Sequence, residues 1–285
     1  MNRDKGQPGS QRDPARTIEV LFKISEAVSN TRNLHELYSV IHRSLAEILR
    51  VDNFYIAIRN EADDSVSFPY HVDQHTTMPL EIKDFSSVRS STGQVMEQKK
   101  PLIFKGDEII RLADPKEPES QSPSKTWLGA PLIINDRVKG AIVIQSYESF
   151  RAYTREDLEL LNSISQHIAL AIERKESEET LAEQRKILEK ILESSPVGIA
   201  LVKNRVFKWV NNEMVKMFGY RSKNELENQS ARMIYCSEAD YERAGKTIYA
   251  GLASAGTADY EIDLVKKDGS LFPGHIRLNS GDRTN

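Results

Sequence analysis

Apolar residues recur along this chain at two spacings, which predict a succession of helices and strands. Steps of three and four residues predict a first helix, whose apolar face is formed by Ile18, Leu21, Phe22, Ser25 and Val28. The same steps predict a second helix that Asn33 caps. Its apolar face is formed by Leu37, Tyr38, Ile41, Leu45 and Ile48. Two amphipathic helices therefore open the folded part of the chain.

Alternating apolar and polar residues predict strands after these helices. The shorter elements are strands at 53–58, 66–70 and 101–104 and a helix at 92–98. Two stronger strands, 126–134 and 138–146, flank Asn135-Asp136-Arg137 and predict a hairpin with a short connection. Residues 114–125 are rich in Pro, Ser and Glu and predict a loop. The order indicates an α+β domain, an antiparallel sheet with its helices gathered on one side.

A long helix is predicted from Thr154 to Glu193, with a capping box formed by Thr154 and Asp157. The apolar stripe of its first half is formed by Leu158, Leu161, Ile164, Ile168 and Ala171. Continued by heptads, this stripe would place Lys175 in the seam, and apolar residues resume only from Leu181 in a shifted phase. Such a shift is typical of a stutter in a coiled coil. A solvated connector helix and a parallel coiled coil joining two dimeric modules both remain open.

Ser194-Ser195-Pro196 is predicted to end the long helix. The strands and helices that follow predict a second antiparallel α+β domain. Its predicted strands span 197–202, 206–210, 258–266 and 271–279. A short helix capped by Asn211 or Asn212 precedes a longer one, which opens with a capping box at Ser237 and closes at Gly256.

Several motifs of the first half follow the order of a known domain family. They are Ser91-Thr92-Gly93-Gln94-Val95, Lys100-Pro101-Leu102-Ile103, Trp127-Leu128-Gly129-Ala130-Pro131-Leu132, Val138-Lys139-Gly140-Ala141-Ile142, the run 153–161 and the run 168–174. With these motifs, residues 17–174 resemble a GAF domain. GAF domains sense small molecules and dimerise, so the resemblance implies a ligand pocket between the sheet and the loops at 71–125.

A second group of motifs lies behind the long helix. They are Ser194-Ser195-Pro196-Val197-Gly198-Ile199-Ala200, Trp209-Val210-Asn211, Met217-Phe218-Gly219-Tyr220, Tyr235 with the run 237–241, and Lys267-Asp268-Gly269-Ser270. With these motifs, residues 194–285 resemble a PAS domain. A PAS fold has five strands and only four are predicted here, with a turn at 281–283 that leads toward a fifth. The domain is therefore expected to lack its last strand.

The resemblance leaves the ligand unidentified but excludes or disfavours some classes. Cyclic-nucleotide-binding GAF domains place Asp four residues after a Phe, whereas Phe150 is followed by Thr154. Residues 17–174 contain no cysteine, which excludes a covalently bound bilin and the cysteine chemistry of free-methionine sulfoxide reductases. The reactive-cysteine motif of flavin photosensors is also missing. Flavin is therefore disfavoured.

The individual histidines and the single cysteine do not indicate a haem, phosphoacceptor or redox site. His71 and His75 lie near the loop where haem-binding relatives place a ligand, but solvent-facing histidines at a strand end explain them, and haem is disfavoured. His167 lacks the Glu-Leu-Arg-Thr-Pro continuation of a histidine-kinase phosphoacceptor. The only cysteine, Cys236, precedes the helix cap at Ser237 and is interpreted as structural. His275 lies on a predicted strand, which disfavours haem ligation.

Composition narrows the function classes further. The chain has 285 residues, 28% of them charged, and a net charge of −3, which gives no argument for nucleic acid or membrane binding. Residues 1–16 predict a disordered tail, and no apolar run reaches the roughly 18 residues of a spanning helix. One cysteine excludes a multi-cysteine metal site. We therefore expect two cytoplasmic domains, 17–174 and 194–285, joined by a coiled-coil linker at 175–193.

The expected function is that of a sensory region, as in bacterial histidine kinases and diguanylate cyclases. A small molecule would bind in the GAF or PAS pocket, and a homodimeric helical linker would pass the signal to an output domain outside this sequence. A ligand-free dimerisation scaffold is the alternative. No Ser/His/Asp set, metal-ligand spacing or phosphate-binding loop indicates an enzyme. The sequence names no catalytic, metal-binding or cofactor-binding residue.

Overall fold

A computed structural model of the chain describes residues 14–75, 78–112 and 124–280. The chain divides into two compact units between residues 181 and 182, here called the first and the second domain. Residues 1–13 of the predicted tail, most of the predicted loop at 114–125 and the predicted turn at 281–283 lie outside the described residues.

The first domain is built on one six-stranded antiparallel sheet with the order β3-β2-β1-β6-β5-β4. Its strands are β1 Asn53–Asn60, β2 Ser65–Val72, β3 Glu81–Ile82, β4 Leu102–Lys105, β5 Thr126–Ile134 and β6 Arg137–Ser146. Its helices are α1 Pro14–Asn30, α2 Leu34–Leu45, α3 Ser91–Gln98, α4 Asp107–Leu112 and the first half of α5 Arg155–Ser194. The sequence predicts all of these strands except β3, and it misses α4.

The sheet is covered on both faces, so the predicted one-sided arrangement is wrong. One core packs α1, α2 and α5 against Phe54 and Ile56 of β1. The other core sets residues of α3 and α4, such as Val95 and Ile109, against Tyr55 on the opposite face. Because successive side chains of a strand point to opposite faces, the central strand β1 is apolar on both.

Helix α1 buries a face that overlaps the predicted one only in part, at Val28 and partly at Leu21. Val20, Ile24 and Val28 are buried, whereas Ile18 is 68% and Phe22 is 61% exposed. The helix begins at Pro14, inside the segment predicted to be a tail, and proline favours the first position of a helix.

Local signals place the other boundaries well. The β5–β6 turn has positive φ at both Asn135 (48°) and Asp136 (63°), which matches the twist of the flanking strands. Asn33 accepts from the amide of Glu36 and caps α2. Helix α5 is one helix of 40 residues. The predicted capping box at Thr154 is present.

The second domain contains the four predicted strands, arranged within the described residues as two separate two-stranded antiparallel sheets. They are β7 Ala200–Lys203 with β8 Val206–Val210, and β9 Thr257–Val265 with β10 Leu271–Asn279. Helices α6 Asn212–Met217 and α7 Glu238–Ala255 enclose a core with them. Asn211 caps α6, Ser237 caps α7, and Gly256 ends α7 with a left-handed φ of 73°. The expectation that this domain lacks its last strand stays a prediction.

Candidate functional site

The charged segment of α5 is attached to the first domain, which the sequence does not predict. Lys175 is buried, and its ammonium donates to the carbonyl oxygens of Val28 (3.1 Å) and Thr31 (2.5 Å). These carbonyls lie at the C-terminal end of α1, where helix carbonyls lack intrahelical donors. A cation at this end is also favoured by the helix dipole. Lys175 therefore caps α1 and continues the buried stripe of α5.

Two further contacts attach the same segment. Lys139, at the start of β6, lies 2.6 Å from Glu173 and 3.2 Å from Glu176. The hydrogen bond to Glu173, followed by that to Glu176, raises the pKa of Lys139. A carboxylate oxygen of Glu179 accepts from the backbone amide of Leu34 at the start of α2 (2.8 Å). The segment 173–179 therefore contacts α1, α2 and the sheet of the first domain.

The last turn of α5 is attached to the second domain through Asn211. Its side-chain amide is fully buried and donates to the carbonyl oxygens of Leu192 (3.0 Å) and Val197 (2.9 Å). Its oxygen accepts from the amides of Ile199 and Met214, both at 2.9 Å. Because all of these groups are backbone, the asparagine joins the end of α5 to the strands and to α6 at once.

The opposite face of α5 is exposed along most of its length. The exposed positions follow steps of three and four residues: Ser163, His167, Leu170, Arg174, Ser177, Leu181, Gln184, Leu188 and Ile191. We call this set the exposed seam. The buried stripe and the later leucines therefore belong to different faces of the helix, and the shifted phase requires no stutter. Such a spacing is that of a coiled-coil seam, although several of its positions are polar.

A cavity of about 710 Å³ in the first domain lies near the predicted pocket. It is bounded by the turn of 3₁₀ helix at Phe85–Ser87, by α3 and by the β5–β6 turn. Its charged side chains are Arg59, Glu61, Arg89, Glu97, Lys99, Asp136 and Arg137. Arg59 is paired with Asp64 at 2.9 Å. Both signs are present in similar number, so the lining selects no ligand charge.

Beside this cavity, the sheet face under α3 is filled by aromatic side chains. Trp127 Nε1 donates to the hydroxyl of Tyr55 (3.2 Å), which lies 2.8 Å from the hydroxyl of Thr92. The indole lies over Gly129, where an added Cβ would come within 2.3 Å of the ring. The glycine therefore serves close packing of the indole against the strand.

The second domain encloses a cavity of about 610 Å³ that is mostly apolar. Its lining includes Met214 and Phe218 near α6, Ile248 and Leu252 of α7, and Ile276 of β10. Arg205 and the tyrosines Tyr241 and Tyr249 also line it, and further polar residues of the lining, such as His275 and Arg277, come from β10. An apolar cavity of this size with a few placed polar groups is typical of a small-molecule site.

The singled-out residues do not assemble into a site. His71 and His75 are exposed, and the ring of His75 packs on Tyr147 at 4.4 Å. His167 is exposed in the seam. Cys236 is exposed, and its thiol donates to the carbonyl of Asp263. Within the described residues no cluster of metal ligands is found, and none of the helices there has the length and apolar character needed to cross a bilayer.

The two folds described here are those of known sensory domain families. Residues 33–172 match the family model of the GAF domain, and residues 196–280 match that of a PAS domain. The chain therefore carries a GAF domain followed by a PAS domain, as the sequence predicts, and the long helix lies between them.

Among curated proteins, the chain is similar to two sensors. It is 29% identical over 84 residues to the sensor protein TdiS of Thauera aromatica, covering 30% of this chain and 15% of TdiS. It is 23% identical over 180 residues to the circadian input-output histidine kinase CikA of Thermosynechococcus vestitus, covering 60% of this chain and 25% of CikA. The chain thus spans a quarter or less of the length of these relatives.

Solved structures are similar to each half. The GAF domain of a phosphoenolpyruvate-protein phosphotransferase from Coxiella burnetii is 19% identical, with a TM-score of 0.48, over 59% of this chain and 99% of that domain. The PAS domain of a LuxR-family transcriptional regulator from Burkholderia thailandensis, solved with ethanol, is 25% identical, with a TM-score of 0.32, over 34% of this chain and 84% of that chain.

Proposed function

We propose that this chain is the cytoplasmic sensory region of a homodimeric signal transduction protein. A small molecule binds in one of its two domains, and α5 passes the change toward an output domain outside this sequence. Two sensory domains in series and the similarity to sensor histidine kinases support this proposal. No reaction is assigned to the residues of this chain.

One observation carries the proposal: α5 is a single helix whose two ends are built into two sensory domains. Lys175 ties it to the end of α1, and Asn211 ties its last turn to the second domain. A ligand that favours one arrangement of either domain therefore biases the position of α5 as well. The ligand can shift the free-energy difference between the two arrangements only by the difference between its binding free energies for them.

The dimer is proposed to form along the exposed seam. Leu181, Leu188 and Ile191 are each more than half exposed and lie at coiled-coil spacing. Two parallel copies of this segment would bury these side chains against each other. The polar positions Ser177 and Gln184 lower the stability of such a pair, and a weak pair can change its register at small cost.

Spin labels at Ser177 and Gln184 test the proposal, because both positions are exposed in the seam. Each is changed to Cys in a Cys236→Ser background, since Cys236 is the only other cysteine. We expect one short distance between chains for each label, and a change in at least one of them when ligand binds. A monomer, or distances that stay the same with and without ligand, would contradict the proposal.

A ligand-free dimerisation scaffold is the second candidate, and the aromatic filling around Trp127 favours that role for the first domain. Native mass spectrometry of the purified chain separates the candidates. A small molecule that remains bound to the dimer supports the sensor. A ligand-free dimer that binds none of the compounds offered to it supports the scaffold.

A further inference from the structure

Arg205 is held at the wall of the second-domain cavity by an unusual backbone and a glycine. The β7–β8 turn has positive φ at Asn204 (54°) and Arg205 (58°), which directs the arginine side chain toward α7. There it crosses the helix at Gly245, where an added Cβ would lie 1.9 Å from its Nη2. Glycine in a helix interior is destabilising relative to alanine. The helix is therefore shaped to admit the guanidinium.

Aromatic rings and one carboxylate fix the guanidinium in this place. Its central carbon lies 4.6 Å from the ring centre of Tyr241 and 5.4 Å from that of Tyr249. Its Nη1 donates to Glu242 at 2.8 Å, and Glu242 is half exposed. The bonds to Tyr241 and Glu242 raise the pKa of Arg205, which is a permanent cation.

The rest of the lining leaves this cation without a charged partner inside the cavity. Among the described residues that line it, none is Asp or Glu. Its other basic residues, His275 and Arg277, both bond to Asp259 on β9. Glu242 approaches Arg205 but is not part of the lining. The lining therefore has no acidic residue and two arginines, and the side chain of Arg205 is the more buried of the two, 28% exposed against 69% for Arg277.

We propose that this cavity binds a small organic monocarboxylate with an apolar body. The carboxylate lies at Arg205, and the apolar body packs between Met214, Phe218 and Ile248. Guanidinium and carboxylate form strong, often paired hydrogen bonds, and Arg205 has five N–H donors, which Glu242, Tyr241 and Tyr249 occupy only in part. An apolar body fits the remaining walls, since burying further polar groups there would leave them unpaired. This assignment rests on the proposed sensory function and names its ligand class.

The methionines of the chain make the test specific to a domain. In the full chain labelled with ¹³C at the methionine methyls, Met214 and Met217 report on this cavity, whereas Met78 and Met96 report on the first domain. The probes are phenylacetate and octanoate, each compared with its primary amide. We expect both acids to shift the Met214 and Met217 signals only, and each amide to bind about tenfold more weakly or worse.

Three variants test the role of the cation. Arg205→Gln is expected to weaken binding of the acids about tenfold or more, while leaving the amides unchanged. Gly245→Ala keeps every charge but displaces the guanidinium, and we expect the same direction of effect. Glu242→Gln removes the competing carboxylate and should tighten binding. Arg205→Lys, which keeps the positive charge, serves if Arg205→Gln fails to fold, and it should retain the preference for acid over amide.

The possible failures are distinguishable. Equal binding of acids and amides, or unchanged acid binding in Arg205→Gln, overturns the ligand class and leaves a sensor of neutral molecules. Shifts at Met78 or Met96 alone overturn the location and leave sensing to the first domain. If no probe binds, the assignment is overturned. If in addition no bound molecule is seen by native mass spectrometry, the sensory function itself fails.

Discussion

Replacing Lys175 with methionine tests whether the buried ammonium holds α1 and α5 together. Methionine keeps most of the apolar stem but removes both hydrogen bonds, so the carbonyls of Val28 and Thr31 lose their donor. Each bond to a charged donor contributes about 1.5–3 kcal/mol. The cost of burying the ammonium offsets part of this gain. We expect Lys175→Met to destabilise the first domain by about 2 kcal/mol.

The assay is urea unfolding followed by the fluorescence of Trp127. The chain has two tryptophans, so Trp209→Phe serves as the background, and the signal then reports the first domain alone. A loss of about 2 kcal/mol lowers the melting temperature of a domain of this size by about 4–8 °C. Lys186→Met, at an exposed position of α5, is the matched control and should change stability by less than about 0.5 kcal/mol.

The result that would refute this reasoning is a Lys175→Met variant as stable as the Lys186→Met control. Buried charges are sometimes replaced by apolar residues without loss. In that case the cost of burying the ammonium would cancel the gain from its two hydrogen bonds, and the attachment of α5 to α1 would rest on the apolar stripe alone.

The remaining predictions concern a cap, a buried amide and a carboxylate. Thr154→Ala removes the hydroxyl that accepts from the amide of Asp157 and should cost about 1 kcal/mol in the same urea assay, whereas Thr154→Ser should cost little. Asn211→Asp keeps the accepting oxygen but loses two amide donors to backbone carbonyls, so we expect a loss of about 1–3 kcal/mol in the second domain, measured by the fluorescence of its own tryptophan in a Trp127→Phe background. A hydrogen bond from Arg277 lowers the pKa of Asp259 below 3.8, so its stabilising contribution is present above about pH 4 and disappears as the pH falls through the lowered value. The stabilities of wild type and Asp259→Asn should therefore differ at pH 7 and converge as the pH falls through the lowered pKa of Asp259; a difference that stays constant as the pH falls would show that the ion pair is not responsible.

Local chemistry in the sequence predicts many boundaries of this fold. The Asn135-Asp136 turn, the caps at Asn33 and Ser237 and the end of α7 at Gly256 follow from residues within a few positions of each element. In each case the residue that forms the turn or cap lies within the short stretch of sequence from which the boundary is predicted.

Long-range contacts are what the sequence pattern leaves out. Ile18 and Phe22 have the spacing of a buried face, yet Val20 and Ile24 are buried because α2 and α5 pack on that side. The sequence pattern makes Lys175 a poor seam residue. Its actual partners are carbonyls 144 and 147 residues earlier in the chain, which a local pattern does not contain. The sequence predicts a pocket in the second domain but not the place of Arg205 in its wall, because the arginine reaches the wall across Gly245 of a distant helix.

The contacts of residues 173–179 determine where this protein can be cut and joined to others. A chimaera that fuses the first domain to a foreign helix directly after residue 174 would remove Lys175 and Glu179. The end of α1 and the start of α2 would then lose the hydrogen bonds that these two side chains make. A junction after residue 181 would carry these side chains along. Transplanted modules of this kind should therefore keep seven further residues of the native helix, whatever sequence follows.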